Sequence, residues 1–310
     1  MAAVEPNPLS LGSLLRLARQ AACKGALEDG TPVGKACRHL GALGLLESSG
    51  PCSQAELSEY LAVNRSVMVK LIDDLEAARA VGRDRCPNDR RSYALALSSR
   101  GRKRAHDLAG ALREREELAC GRLESPERRR LCRLLARLAE SRRAEPLPEL
   151  LAGSLLFVLF LSGELAEQAV GPVLRRLGTD LREVTALSLL IRSPCSQRIL
   201  GSWLSIGPAT TVELVDSLES LGALKRARKL SDRRSYLLEA TARGERLARR
   251  AEAALEAGGD ALAAALAPGE RAELAGLLVK LLLPPLERAG SRRAPAATSP
   301  ARGVRGALSG

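Results

Sequence analysis

Arg65, Ser66, Val67, Val69 and Lys70 fall on one side of a stretch whose other side is apolar, and Arg83, Arg85, Arg90 and Arg91 follow shortly after, with Asp89 among them. Guanidinium and ammonium groups without a nucleophile or acid–base partner beside them bind anions. Their natural targets are phosphate oxygens and the paired acceptors of a guanine edge. The chain offers little for other chemistry. Its two histidines, His39 and His106, stand in no constellation that would serve acid–base catalysis. Seven cysteines, at 23, 37, 52, 86, 120, 132 and 195, form no Cys-x-x-Cys pair. Their odd number and scatter read as reduced thiols of a cytoplasmic protein, not as a disulfide or zinc framework. No enzyme, metal site or cofactor is expected. A formal charge of +12 suits a polyanionic partner. The most apolar window, Leu150–Leu161, is too short for the roughly 20 residues a bilayer demands, so no membrane association is expected.

The elements that must hold these cations are legible around them. Ser53 and Glu56 have capping-box spacing, and Leu57 and Leu61 share a face, which predicts a short helix over Gln54–Ala62. After a turn at Val63-Asn64, Met68, Leu71, Ile72 and Leu75 predict a helix over Arg65–Ala78 whose outward face carries the cations. Two helices joined this way present the second to a DNA major groove. Ala80–Asp84 and Ser92–Leu97 then read as short strands, with Tyr93, Leu95 and Leu97 alternating onto one face and the basic run Arg85–Arg91 as the turn between them. Such a hairpin is a wing whose arginines reach a minor groove; Asp89 is expected to orient Arg91 and leave Arg90 free. Taken alone, the same run also reads as a solvated turn. Ser98 caps a long helix to about Arg122, Glu127–Ala139 forms another with Leu131, Leu134, Leu135 and Leu138 on one stripe, and Leu9–Ala26 supplies an amphipathic helix in front. These outer helices carry more apolar surface than the winged unit requires, which marks them as a dimerisation bundle.

All of this occurs twice. Pro51-Cys52-Ser53-Gln54 returns as Pro194-Cys195-Ser196-Gln197, and Asp89-Arg90-Arg91-Ser92-Tyr93 as Asp232-Arg233-Arg234-Ser235-Tyr236, both 143 positions on. Without a gap, Pro51–Gly101 and Pro194–Gly244 share 22 of 51 residues; chance would give about three or four. Two domain-sized copies fit a chain of 310 residues. The expected division is a flexible start at 1–8, a first domain at 9–140, a linker at 141–150, a second domain at 151–288 and a disordered basic tail at 289–310.

Gln54-Ala55-Glu56-Leu57, Val63-Asn64-Arg65-Ser66, Leu71-Ile72-Asp73-Asp74-Leu75-Glu76, Asp89-Arg90-Arg91, Leu97-Ser98-Ser99-Arg100-Gly101-Arg102 and Ser125-Pro126-Glu127-Arg128, in that order, resemble the MarR family of bacterial winged-helix regulators. The resemblance covers most of 9–140 and, more weakly, 151–287. It implies a mainly α fold with small β-wings: two tandem winged helix-turn-helix domains whose terminal helices form a dimerisation bundle, here an intrachain pseudo-dimer. It also implies a cytoplasmic, sequence-specific DNA-binding transcriptional regulator, a repressor in the family's commoner mode. Its double-stranded operator would be pseudo-palindromic, and a small aromatic or anionic effector would release it. In the first copy the DNA-facing residues would be Asn64, Arg65, Ser66, Val67, Val69 and Lys70 of the recognition helix and Arg83, Arg85, Asp89, Arg90 and Arg91 of the wing.

The second copy has drifted. Arg65, Ser66 and Lys70 correspond to Pro208, Ala209 and Glu213, leaving Thr210 and Val212 as candidate contacts, while its wing holds Lys225, Arg226, Arg228, Lys229, Asp232, Arg233 and Arg234. An asymmetric reader and an asymmetric operator follow. The second head either positions the protein on the DNA backbone or has left the DNA to serve dimerisation or ligand sensing. Tyr60, Trp203, Phe157 and Phe160 read as core, and the cysteines, Cys23 included, as inert packed thiols. The alternative class is a protein-interaction module that kept the winged fold. The intact Arg65/Lys70 face and the two basic wings favour DNA.

Overall fold

The computed structural model describes residues 9–86, 89–143, 145–229 and 232–290. Helix α1 (Leu11–Ala22) starts at Ser10, whose hydroxyl accepts from Ser13 N. It leads to α2 (Val33–Ser49), buried on nearly every side and ended by Gly50 at φ 79°. The capping box at α3 (Gln54–Tyr60) forms as the spacing predicts: Glu56 N donates to Ser53 Oγ at 3.2 Å, and Ser53 N to Glu56 Oε2 at 2.6 Å. Helix α4 (Arg65–Ala77) is capped by Asn64 and buries Met68, Leu71, Ile72 and Leu75.

Strands β1 (Val81–Cys86) and β2 (Asp89–Leu97) pair antiparallel from Val81↔Leu97 to Arg85↔Tyr93, with an irregularity at Arg85/Cys86. Both are longer than their patterns predict. The ladder continues through Arg85 and starts again at Asp89, so part of the expected basic turn is strand. Tyr93 lies beyond the core that receives Leu95 and is half exposed, because the hairpin projects past the body of the domain. A bridge between Cys52 and Leu95 ties the approach to α3 to the hairpin. Helices α5 (Ser99–Ala119) and α6 (Ser125–Glu140) complete the first copy. Across the end of the expected linker and the start of the expected second domain, Glu149–Ala152 forms a short helix, α7.

The second copy runs α8 (Leu155–Arg176), α9 (Leu181–Arg192), α10 (Gln197–Leu204), α11 (Pro208–Ser220), β3 (Leu224–Lys229), β4 (Asp232–Ala240), α12 (Ala242–Leu262) and α13 (Pro268–Gly290). α11, β3, β4 and α12 begin and end 143 residues after α4, β1, β2 and α5. Small features keep the same offset. Ala62 and Ser205 both have φ 54°, and the Cys52–Leu95 bridge recurs as Cys195–Leu238. The opening helix does not keep it, since α8 continues well past the point equivalent to the end of α1.

Two sets of helices interlock. α1 packs against α8, α12 and α13, while α6 packs against α8 and α13. One hydrophobic core therefore runs from Leu9 to Leu282 through both copies, with a smaller cluster around Val170, Leu174 and Leu181. α8 is long and apolar enough to cross a bilayer, yet Leu155–Leu161 are all buried inside the bundle. Phe157 and Phe160 are core residues there, as is Trp203, and the Tyr60 ring lies 3.8 Å from the Arg143 guanidinium.

Candidate nucleic-acid interface

Helix α4 displays the predicted face. Asn64, Arg65, Ser66, Val69 and Lys70 are exposed, whereas Val67 is half-buried and leans on the core. The start of the helix is tightly organised: Asn64 Oδ1 accepts from Val67 N at 3.0 Å and from Ser66 Oγ at 2.7 Å. Arg65 and Lys70 take part in no ion pair among the described residues. Arg65 projects from the helix N-terminus, where the backbone dipole adds to its attraction for phosphate, and Lys70 stands in the second turn.

Arg83 is placed differently from its expected role as a free wing contact. Its guanidinium grips Glu76 of α4, with Nε to Oε1 at 2.6 Å and Nη2 to Oε2 at 3.0 Å, and reaches Asp73 at 4.0 Å. Glu76 holds the Arg83 pKa above its ordinary value. Arg226 does the same in the second copy, bonding Asp216 and lying 3.2 Å from Glu219. In each copy an arginine thus straps the base of the hairpin to the recognition helix. Sequence reasoning missed this role, although Asp73, Glu76 and Arg83 all persist as Asp216, Glu219 and Arg226. Lys225 pairs across its strands with Glu239 at 3.1 Å. The side chains of Arg85, Asp89, Arg90, Arg91, Arg228, Lys229, Asp232, Arg233 and Arg234 lie outside the described residues, as does the expected Asp89–Arg91 pairing.

In the second head Pro208, Ala209, Val212 and Glu213 are exposed and Thr210 is half-buried. Gly207 precedes the helix without a side-chain cap, and the buried Thr211 hydroxyl donates to Gly207 O at 2.7 Å instead. Despite the lost cations, two pairs of exposed side chains stay matched. Val69 and Val212 are 42% and 43% exposed, as are Tyr93 and Tyr236 at 50% and 46%. A valine on the outer face of a recognition helix can meet a thymine methyl in the major groove.

Helix α4 is fixed to the body through Asp74. Lys35 Nζ lies 2.8 Å from its carboxylate and His39 Nε2 lies 3.8 Å away. The His39 ring is buried, and neither of its nitrogens has a hydrogen-bond partner. Burial first, then the cations Arg104 and Lys35, push its pKa from 6.5 down to about 4, against the pull of Asp74. Because the folded pKa lies below the unfolded one, the stabilisation is complete above about pH 6.5 and drains away as pH falls towards 4. Across that window the unfolded chain takes a proton that the folded ring refuses, with a slope of at most about 1.4 kcal/mol per pH unit. Thermal unfolding of a His39→Leu variant is expected to show a flatter pH dependence there. Equal slopes in parent and variant would rule out this account.

Among the thiols, burial raises Cys52 to about 11 and Cys120, Cys132 and Cys195 to about 12, and it pushes Cys37 up as well. Cys23 moves the other way, lowered by its hydrogen bond with Cys37. No cluster of three or more His, Cys, Asp or Glu that could hold a metal occurs among the described residues. A cleft of about 600 Å³ opens beside the recognition helix, lined by Gln54, Ser58, Glu59, Arg65, Met68 and Val69, with Gln168 of α8 also on its wall.

A capped recognition helix with an exposed cationic start, strapped to a β-hairpin, defines a winged helix-turn-helix DNA-binding regulator. The MarR family pattern matches residues 36–92. The chain is 32% identical over 126 residues to the HTH-type transcriptional repressor Mb2911 of Mycobacterium bovis, covering 40% of this chain and 91% of that protein. It is 30% identical over 96 residues to the HTH-type transcriptional repressor NicR of Pseudomonas putida, covering 31% and 61%. A crystal structure of a MarR-family transcriptional regulator from Rhodococcus sp. RHA1 aligns with a TM-score of 0.40 and 26% identity, over 43% of this chain and 97% of that one. The chain belongs to the MarR family.

Proposed function

We propose that one chain supplies both reading heads of a MarR-type dimer and acts as a single-chain transcriptional repressor. The two domains would span 9–140 and 151–288. The observation that carries this reading is a reciprocal pair of contacts between the last helices of the two copies. Glu127 of α6 holds Lys280 of α13 at 2.6 Å, and Arg137 of α6 holds Glu270 of α13 at 2.5 Å. Lys280 and Glu270 stand 143 residues after Arg137 and Glu127, so the two bonds are one contact made twice. Residue i touching j′ while j touches i′ is the mark of a two-fold interface.

In this reading the first head specifies sequence through Arg65, Val69 and Lys70. The second, with Pro208 and Glu213 in place of the cations, keeps a shared valine and adds backbone contacts from its basic wing. The operator is then two unequal half-sites about one helical turn apart. A small aromatic or anionic effector fits the cleft beside α4, since anything lodged against Arg65 and Val69 competes with DNA for them.

The test is a salt-titrated footprint on DNA upstream of the protein's own gene, with the mass of the bound species measured in parallel. One chain protecting two half-sites is expected. Protection of a single half-site, or two chains per operator, would overturn the single-chain reading. Weak binding blind to sequence would favour a protein-interaction module instead.

A further inference from the structure

At one point the two-fold relation between α6 and α13 is broken, and the break is in charge. Arg130 and Glu273 are 143 residues apart, so each stands where the other copy's equivalent residue would face it near the local axis. Arg130 Nε and Nη2 bond the Glu273 carboxylate at 2.9 and 2.8 Å. Glu270 lies 3.5 Å from the same guanidinium, and Arg133 adds its positive field around Glu273. Were a first copy to pair with another first copy, Arg130 would face Arg130 with Arg133 close by, and Glu127 in the place of Glu270 would offset only part of that excess of positive charge. A second copy pairing with another second copy would set Glu273 against Glu273 beside two Glu270 side chains.

We propose that this contact surface is charge-coded to accept only the unlike copy. The Arg130–Glu273 pair makes first-with-second docking attractive and both like-with-like dockings repulsive. The proposal rests on the single-chain reading above and adds a partner rule to it. Both groups are partly exposed, and an exposed ion pair contributes little attraction by itself. The discrimination comes from the repulsion built into the alternatives, which is the common way that charged positions set partner choice. Reciprocal bonds at Glu127–Lys280 and Arg137–Glu270 cannot discriminate, because they keep the same sense in both copies.

The experiment uses the full chain in three forms beside the parent: Arg130→Glu, Glu273→Arg and the double exchange. Arg130→Glu recreates the acid-against-acid facing of a second-copy pair, and Glu273→Arg the base-against-base facing of a first-copy pair. Each single variant is expected to lower the thermal unfolding midpoint by about 3 °C or more at low salt, and less in high salt as the repulsion is screened. The double exchange should recover more than half of that loss. Recovery is incomplete because Glu270 and Arg133 keep their original signs. Midpoints within about 1 °C of the parent in both single variants, or no recovery in the double, would overturn the proposal. This readout involves no DNA, so a failed footprint sinks the operator reading while leaving the charge rule to stand or fall on its own cycle.

Discussion

Replacing Arg65 with alanine is expected to weaken operator binding by about 10- to 100-fold while leaving binding to unrelated DNA within a few-fold of the parent. Arg65 occupies the first position of α4, exposed and without an ion-pair partner among the described residues, behind a cap whose geometry does not involve its side chain. The substitution therefore removes donors without disturbing the Asn64 cap, so the helix should keep its position and only the contact should be lost. The second head has Pro208 at the equivalent place. Protection should consequently fade over one half-site and persist over the other. Titration against an operator fragment and a scrambled fragment of equal length, at one fixed salt concentration, measures both parts. If affinity for the two fragments falls by the same factor, Arg65 is a phosphate anchor and carries no sequence information.

Alanine at Gly101 should cost more than any comparable change on α5. A Cβ at Gly101 would sit 2.1 Å from Ala80 O, and one at Gly244 would sit 2.0 Å from Ala223 O. No real contact is that short, and the obstacle is backbone rather than a movable side-chain tip. The Ala80 carbonyl also accepts from Ser98 N at 3.0 Å and Ser98 Oγ at 3.0 Å, so moving it disturbs the cap of α5 and the entry to β1 together. Overpacking of this kind costs about 1–3 kcal/mol or more, enough to lower the unfolding midpoint by roughly 3–10 °C. Gly110→Ala on the same helix is the control: nothing lies within 4 Å of its would-be Cβ, and helix propensity favours the change. Equal behaviour of the Gly101 and Gly110 variants would refute the close-approach argument.

The reading motif was legible in the sequence because its signals are local. Ser53 and Glu56 announce the start of α3, and Met68, Leu71, Ile72 and Leu75 fix which face of α4 is buried. Helix α2 escaped detection for the opposite reason. Pro32 caps it without a side-chain bond, three glycines interrupt it, and the bundle covers it on nearly all sides, so no one-sided stripe survives to be read. The wing strands run further than their patterns predict because Asp89 is a turn-favouring residue type, yet pairing of Arg85 with Tyr93 and of Cys86 with Asp89 draws both ends of the basic run into the ladder. The strap from Arg83 to Glu76 needs two elements to meet and is invisible to periodicity. Its one trace in the sequence is the retention of acid and base together in both copies.

The continuous core from Leu9 to Leu282 bears on how such a regulator would respond to its own abundance. A protein assembled from separate subunits loses its paired form on dilution, and the amount of active dimer then falls with the square of concentration. In the single-chain reading, two heads joined by one polypeptide and seated on one core have no such assembly step. Occupancy of the operator should rise in simple proportion to the number of chains, down to a few molecules per cell, and each newly made chain should be competent as soon as it has folded.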